Sequence, residues 1–139
     1  MGRRPKTVSV SRADAGLYVA KAEQFVTEAR LALEGSRADA AMLNAIHAAI
    51  SAVDAVTGAL SGLRSADPDH QRAVDLLEEV ASRSEEIKAR VRQLRQLLAR
   101  KNMVEYEARR ATAKEARDAV ERASRIVDWA ALTVRRARV

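Results

Sequence analysis

An all-α fold is what this sequence predicts, and three observations predict it. Alanine, leucine, arginine and glutamate dominate the 139 residues, and all four are strong helix formers. Five glycines and two prolines are too few for the many tight turns of a sheet protein. Apolar residues recur at three- and four-residue spacing through long stretches, which is the period of one helix face. The expected architecture is an antiparallel bundle of four main helices plus one divided or accessory helix.

Capping signatures divide the chain. Residues 1–10 have no helical period and contain Pro5, so they read as a mobile basic arm before a helical domain over 11–134. Ser11-x-x-Asp14 has the form of a capping box and opens the first helix, whose stripe is Tyr18, Ala22, Phe25, Ala29 and Ala32. Gly35 supplies the stop, and Ser36-x-x-Asp39 opens the second helix after almost no loop, which folds the two back antiparallel. That second helix has the strongest period: Leu43, Ile46, Ile50, Val53, Thr57 and Leu60 on one face, flanked by Ala41, Ala45, Ala48, Ala49, Ala52 and Ala55. Gly62 ends it, and Asp67-Pro68 is a helix start with Asp as cap and Pro first.

The third helix covers about 68–81, with Ala73, Leu76, Leu77 and Val80 inward. Ser82-x-x-Glu85 marks either a break or a near-continuous join to the fourth helix, about 84–101, which buries Ile87, Val91, Leu94, Leu97 and Leu98. The period lapses over 102–111, and Thr112-x-x-Glu115 opens the final helix with Ala116, Val120, Ala123, Val127, Ala130 and Val134 inward. Residues 135–139 read as a basic tail.

Composition excludes several chemistries. Without cysteine there is no disulfide, thiolate nucleophile or Cys-ligated zinc, and His47 and His70 are too few for a multi-histidine metal site. No metal and no cofactor are therefore expected. No apolar run approaches the ~18–20 residues of a bilayer span, and no apolar segment follows the initial charges as in a secretory signal. A cytoplasmic protein without a membrane partner is the expectation. There is no Gly-rich phosphate loop and no H-E-x-x-H. Glu78/Glu79 and Glu85/Glu86 are adjacent pairs that diverge around a helix, so they read as solvated charges. His47 reads as a boundary histidine, and Asp54 as half of an ion pair with a base of the fourth helix.

Charge is uneven. Residues 1–12 carry four bases and no acid, whereas 13–82 carry five bases against eleven acids. Residues 83–110 carry nine bases against four acids, and 111–139 seven against four. The basic second half suggests a polyanion or an acidic protein partner.

Four stretches carry a family resemblance. Residues 18–25 (YVAKAEQF), 45–54 (AIHAAISAVD), 62–70 (GLRSADPDH) with Ala73 and Leu76-Leu77 after it, and 97–106 (LLARKNMVEY) together resemble a bacterial HEPN domain over about 12–134. The resemblance implies an antiparallel helical bundle and a homodimer. It also implies kinship with RNA-cleaving toxins and defence nucleases, or with their inactive partners, antitoxins and scaffolds. The family's active motif is an Arg followed four to six residues later by His, two copies meeting across the dimer. There the His shuttles a proton and the Arg stabilises phosphate charge.

The matching segment here is Arg100-Lys101-Asn102-Met103-Val104-Glu105-Tyr106, and no histidine follows residue 70. Arg100 or Lys101 stands for the motif arginine, and Glu105 or Tyr106 for the histidine. A glutamate repels phosphate and lacks a near-neutral pKa, and an unperturbed tyrosine titrates near ~10. Glu105 is also placed to pair with Arg109 four residues on. Arg64 and His70 have the Arg-x5-His spacing but lie between the second and third helices, where His70 reads as a loop-fixing residue.

The expected function is a non-catalytic, dimeric interaction module associated with RNA, in a toxin–antitoxin or defence-type system with a partner protein encoded nearby. The alternatives are a divergent metal-independent ribonuclease using Lys101, Glu105 and Tyr106, and a basic nucleic-acid-binding protein without chemistry. Arg100, Lys101, Arg109, Arg110, Lys114 and Arg117 are the expected nucleic-acid contacts, flanking one loop. For the dimer, the second helix presents more apolar surface than a small bundle readily hides, and the last two helices offer another face.

Overall fold

A computed structural model describes residues 6–137. The order of elements is β1 (Thr7–Ser9), α1 (Arg12–Glu34), α2 (Ala38–Ser61), β2 (Leu63–Ser65), α3 (Gln71–Val80), α4 (Glu85–Ala99), α5 (Lys101–Tyr106) and α6 (Ala113–Ala137). The fold is the expected helical one, with a single two-stranded ribbon added among the described residues.

Three long helices make the scaffold. α1 turns Ala15, Val19, Ala22, Val26, Ala29 and Ala32 inward at three- and four-residue steps. α6 turns in Ala116, Ala119, Val120, Ala123, Ile126, Val127, Trp129, Ala130 and Val134. α2 packs against both and buries thirteen of its residues, Met42 and Ile46 among the largest side chains without exposure. Alanines 41, 45, 48, 49, 52 and 55 are all fully buried. Their short side chains let neighbouring backbones come close. Most of the apolar surface of the second helix is thus consumed inside the monomer, while Leu60 of the expected stripe stays 43% exposed and Leu43 and Ile50 are partly buried. α2 is long and apolar enough by composition to cross a bilayer, contrary to the expectation that no segment is, yet most of that stretch is buried in the bundle.

The helix ends separate working caps from nominal ones. Ser11 caps α1, its Oγ accepting from the Asp14 N–H at 3.1 Å. Thr112 and Glu115 form the reciprocal box that opens α6, with bonds of 3.0 and 3.1 Å. Ser36-x-x-Asp39 forms no box. Ser36 is left-handed (φ 59°) and closes α1: the Ser36 N–H bonds Leu33 O and the Arg37 N–H bonds Ala32 O. Gly35 is not the left-handed residue; lacking a Cβ, it leaves room for the Arg37 guanidinium. Asp39 instead accepts the Ala111 N–H at 2.7 Å, which ties the approach to α6 onto the start of α2.

One expected boundary moves, and one that the sequence left open is decided. Asp67 and Asp69 make successive side-chain turns, accepting the N–H of Asp69 and Gln71, so α3 begins at Gln71 and not at Pro68. The chain breaks between α3 and α4, and Ser84 caps α4 through the Ile87 N–H at 3.1 Å. Arg95 of α4 then bridges to α3 through Asp75 (2.8 Å), Glu78 and Gln71.

The expected N-terminal arm is structured over its last residues. Thr7, Val8 and Ser9 pair antiparallel with Ser65, Arg64 and Leu63, flanked by Ala66 N–H to Lys6 O and Val10 N–H to Gly62 O, both 2.8 Å. Val10 is buried against Gly58, where a Cβ would lie 2.9 Å from Val10 Cγ1. Gly62 turns out of α2 in the left-handed conformation (φ 71°), which only glycine adopts without strain. Arg135 and Arg136 belong to α6 and not to a tail, while residues 1–5 and Arg138 lie outside the described residues.

Candidate functional site

The loop segment expected to bind RNA is divided by its own ion pairs. Arg100 contacts Asp118 at 3.3 Å, and Arg122 shares that carboxylate at 3.1 Å. Lys101 Nζ donates to Glu105 Oε2 at 2.8 Å, one turn along α5. Arg109 is held by Glu115 at 2.8 Å, so the expected Glu105–Arg109 pair does not form. Arg109 and the Thr112 N–H together pull the Glu115 carboxyl down to about 2. Asn102 and Tyr106 are exposed, Tyr106 at 77%. In the motif positions Lys101 and Tyr106 both act on the Glu105 carboxylate while Arg100 turns to Asp118, so they present no free proton carrier beside a free cation. Glu105 is held ionised by its hydrogen bond from Lys101.

Arg110, Lys114 and Arg117 differ. Among the described residues none of them has a carboxylate within ion-pair distance. Arg110 and Arg117 line a groove of about 670 Å³ between the α1–α2 turn and the start of α6, and Arg37 joins them from the other wall. α2 begins in that groove without a side-chain cap, so its first N–H groups add positive potential. Asp39 is the acid of the groove, and the Ala111 N–H occupies one of its oxygens. Arg37 carries no sequence signal as a binding residue; it reaches the site because the short α1–α2 turn packs beside α6.

A second cluster assembles from residues read as structural. His47, Ile50 and Asp54 fall on one side of α2, the side turned toward β2, α3 and α5. His47 lies against Phe25 of α1, ring centroids 5.5 Å apart. Asp54 opens into a crevice of about 130 Å³ with Arg64, Asp67 and His70. The expected partner from the fourth helix is absent: the cation that acts on Asp54 is Arg64 of β2, and no hydrogen bond reaches the carboxylate among the described residues. Burial raises the Asp54 carboxyl to about 7 against the pull of Arg64.

Both histidines are shifted down, chiefly by burial and then by the Lys101 ammonium, with Glu105 opposing. His70 also feels His47. The two histidines thus stand within electrostatic reach of one another and of the Lys101–Glu105 pair, although each histidine lies far along the chain from the other and from that pair. One signal was available in the sequence. Positions 47 and 54 are seven apart, so two ionisable residues share a side of an otherwise apolar helix.

Among the described residues no group of three or more His, Cys, Asp or Glu side chains has metal-holding geometry. No curated protein matches the chain. A family model described as the HEPN domain matches residues 15–134.

Proposed function

Since the chain belongs to the HEPN domain family, we propose that it acts as a non-catalytic, RNA-associated interaction module of the cytoplasm, dimeric and paired with a protein partner in a toxin–antitoxin or defence-type system. One observation carries the RNA reading. Arg110 and Arg117 lack carboxylate partners among the described residues and face Arg37 across one groove, with Lys114 on the same turn of α6. These cations would neutralise phosphates and release the counterions condensed on the nucleic acid. Arg100, Lys101 and Arg109 already have acids at 3.3, 2.8 and 2.8 Å, so they contribute less.

The absence of cleavage by the motif loop rests on Glu105. An ionised carboxylate locked to Lys101 neither accepts a proton readily near neutral pH nor tolerates an incoming phosphate. The apolar surface available to a second copy includes Leu17, Leu31 and Leu132 of the two outer scaffold helices, 63%, 50% and 40% exposed, and Leu60 near the end of α2, 43% exposed.

The test is binding of single-stranded RNA across a salt series. Affinity should fall steeply with salt, and Arg110→Glu with Arg117→Glu should abolish most of it. Lys101→Ala should change it little. Affinity that is absent at low salt, or indifferent to the double charge reversal, sinks the RNA reading. RNA cleavage that disappears in Glu105→Ala would sink the non-catalytic one, and a strict monomer by sedimentation the dimer.

A further inference from the structure

We propose that the crevice between α2 and β2 binds one guanine base of a single-stranded RNA, with Asp54 and Arg64 reading two adjacent edges of the ring. The inference rests on the RNA association above but concerns a different surface.

Size comes first. About 130 Å³ is room for about four waters at ~30 Å³ each, well below the ~300 Å³ at which drug-sized sites begin. One small planar group fits. Chemistry narrows the choice. Asp54 is half-buried and receives no hydrogen bond from the protein among the described residues, so a ligand that supplies two N–H groups would complete it. A cationic donor such as a guanidinium is opposed by Arg64 in the same crevice.

Arg64 asks for acceptors. One of its amino groups is spent on Ser65 O at 3.1 Å, and its guanidinium lies 5.9 Å from the Tyr18 ring centroid. The remaining donors match paired acceptors on a planar edge, as arginine matches O6 and N7 of guanine. Guanine carries both requirements in one neutral ring: N1–H and the N2 amino group for the carboxylate, O6 and N7 for the arginine. Adenine offers the carboxylate one donor beside an acceptor, and uracil one donor between two acceptors. Reading a base on these edges requires it to be unstacked, which restricts the ligand to single-stranded RNA.

The ionisable surroundings add a pH signature. Arg64 and Asp67 face Asp54 from β2 and its following loop, and His70 from the start of α3. His47 stands two turns back on α2, with Lys101 and Glu105 of α5 beyond the two histidines. Both imidazoles titrate below their ordinary value, so above that value Asp54 is the group that changes charge. Guanine requires the ionised carboxylate. With half-ionisation near 7, the competent fraction rises about ten-fold from pH 6 to pH 8, and the affinity with it. Purely electrostatic RNA binding lacks that rise, because a positive surface only loses charge as pH increases.

The experiment uses the full chain and uridine octamers that carry one central guanine, hypoxanthine or adenine, with free guanosine as a separate arm. At pH 8 the guanine octamer should bind at least about ten-fold tighter than the adenine one, with hypoxanthine, which lacks the N2 amino group, between them. The advantage should shrink about ten-fold at pH 6. It should vanish in Asp54→Asn, whose folding is checked by circular dichroism, and persist in Arg110→Glu at lower overall affinity. Equal binding of the three octamers at pH 8, or a guanine preference kept by Asp54→Asn, overturns the proposal. If no octamer binds but guanosine does, in an Asp54-dependent way, the crevice stands and the RNA association falls. If neither binds, both fall.

Discussion

The two sides of α2 do opposite things. Toward α1 and α6 it presents alanines, Ile46 and Val53 with almost no exposed surface, and packing there leaves no room for a ligand. On the other side it presents Asp54 in a crevice shared with Arg64 and His70, with His47 two turns back against Phe25. A helix buried all round would normally be apolar all round. Here short elements cover the second side, and short elements pack less completely, so polar groups survive half-buried. One helix thereby supplies both the rigid scaffold and the ionisable groups, and the scaffold side fixes where those groups stand.

The largest expected effect separates the two sides directly. Ile46→Ala should cost about 2–5 kcal/mol at any pH, read from the denaturant midpoint, because the site cannot collapse around the cavity. The adjacent His47→Ala should cost less than about 1 kcal/mol. Equal losses would mean that the second side is scaffold too.

Asp54→Asn should act with the opposite sign and only above acid pH. The carboxyl titrates near 3.8 when unfolded and near 7 when folded, so the folded chain holds one more proton between those values. Stability is fully present below about pH 4, falls as pH rises to about 7, and is level above it. The variant should therefore match the native protein at pH 4 and exceed it at pH 8, by on the order of 4 kcal/mol at most. A variant no more stable at pH 8 would place Asp54 in contact with solvent and remove the contrast.

A smaller effect concerns how α6 is anchored to the scaffold side. Thr112→Ala should cost about 1 kcal/mol through the lost cap. Ser36→Ala loses no cap, and Ser36→Gly should stabilise by some tenths of a kcal/mol, roughly as a left-handed position favours glycine.

The smallest expected effect is purely electrostatic. Glu105→Ala should leave the denaturant midpoint unchanged while lowering the imidazole pKa of both His47 and His70, and Lys101→Ala should raise both. Proton NMR titration of the two histidines reads this. If only one of them moves, the cluster is not a single site.

Local patterns were reliable at some helix ends and not at others. The caps at Ser11 and Thr112 join residues three apart, so chemistry along the chain suffices to find them. The left-handed exit at Gly62 and the inward face of α6 were legible for the same reason, whereas on α1 the expected Tyr18 and Phe25 are only partly buried and Ala15, Val19 and Val26 turn inward beside the expected alanines. The same pattern misled at Ser36-x-x-Asp39, where a connection only three residues long takes Ser36 into the left-handed region and Asp39 finds Ala111, seventy-two residues away. The ribbon was missed because Thr7–Ser9 and Leu63–Ser65 are short and each forms a strand only by virtue of the other.

By itself the sequence determined the helical class, the family and the basic loop, because these rest on periodicity, on capping between near neighbours and on the order of short motifs. Tertiary structure alone decided which cations are free, since an arginine's partner is whatever acid packing brings within about 4 Å. It also decided that His47, Asp54, Arg64 and His70 meet beside Lys101 and Glu105. Two helices, a strand and one loop residue come together there only because a shared core fixes their distances, and no spacing along the chain encodes that.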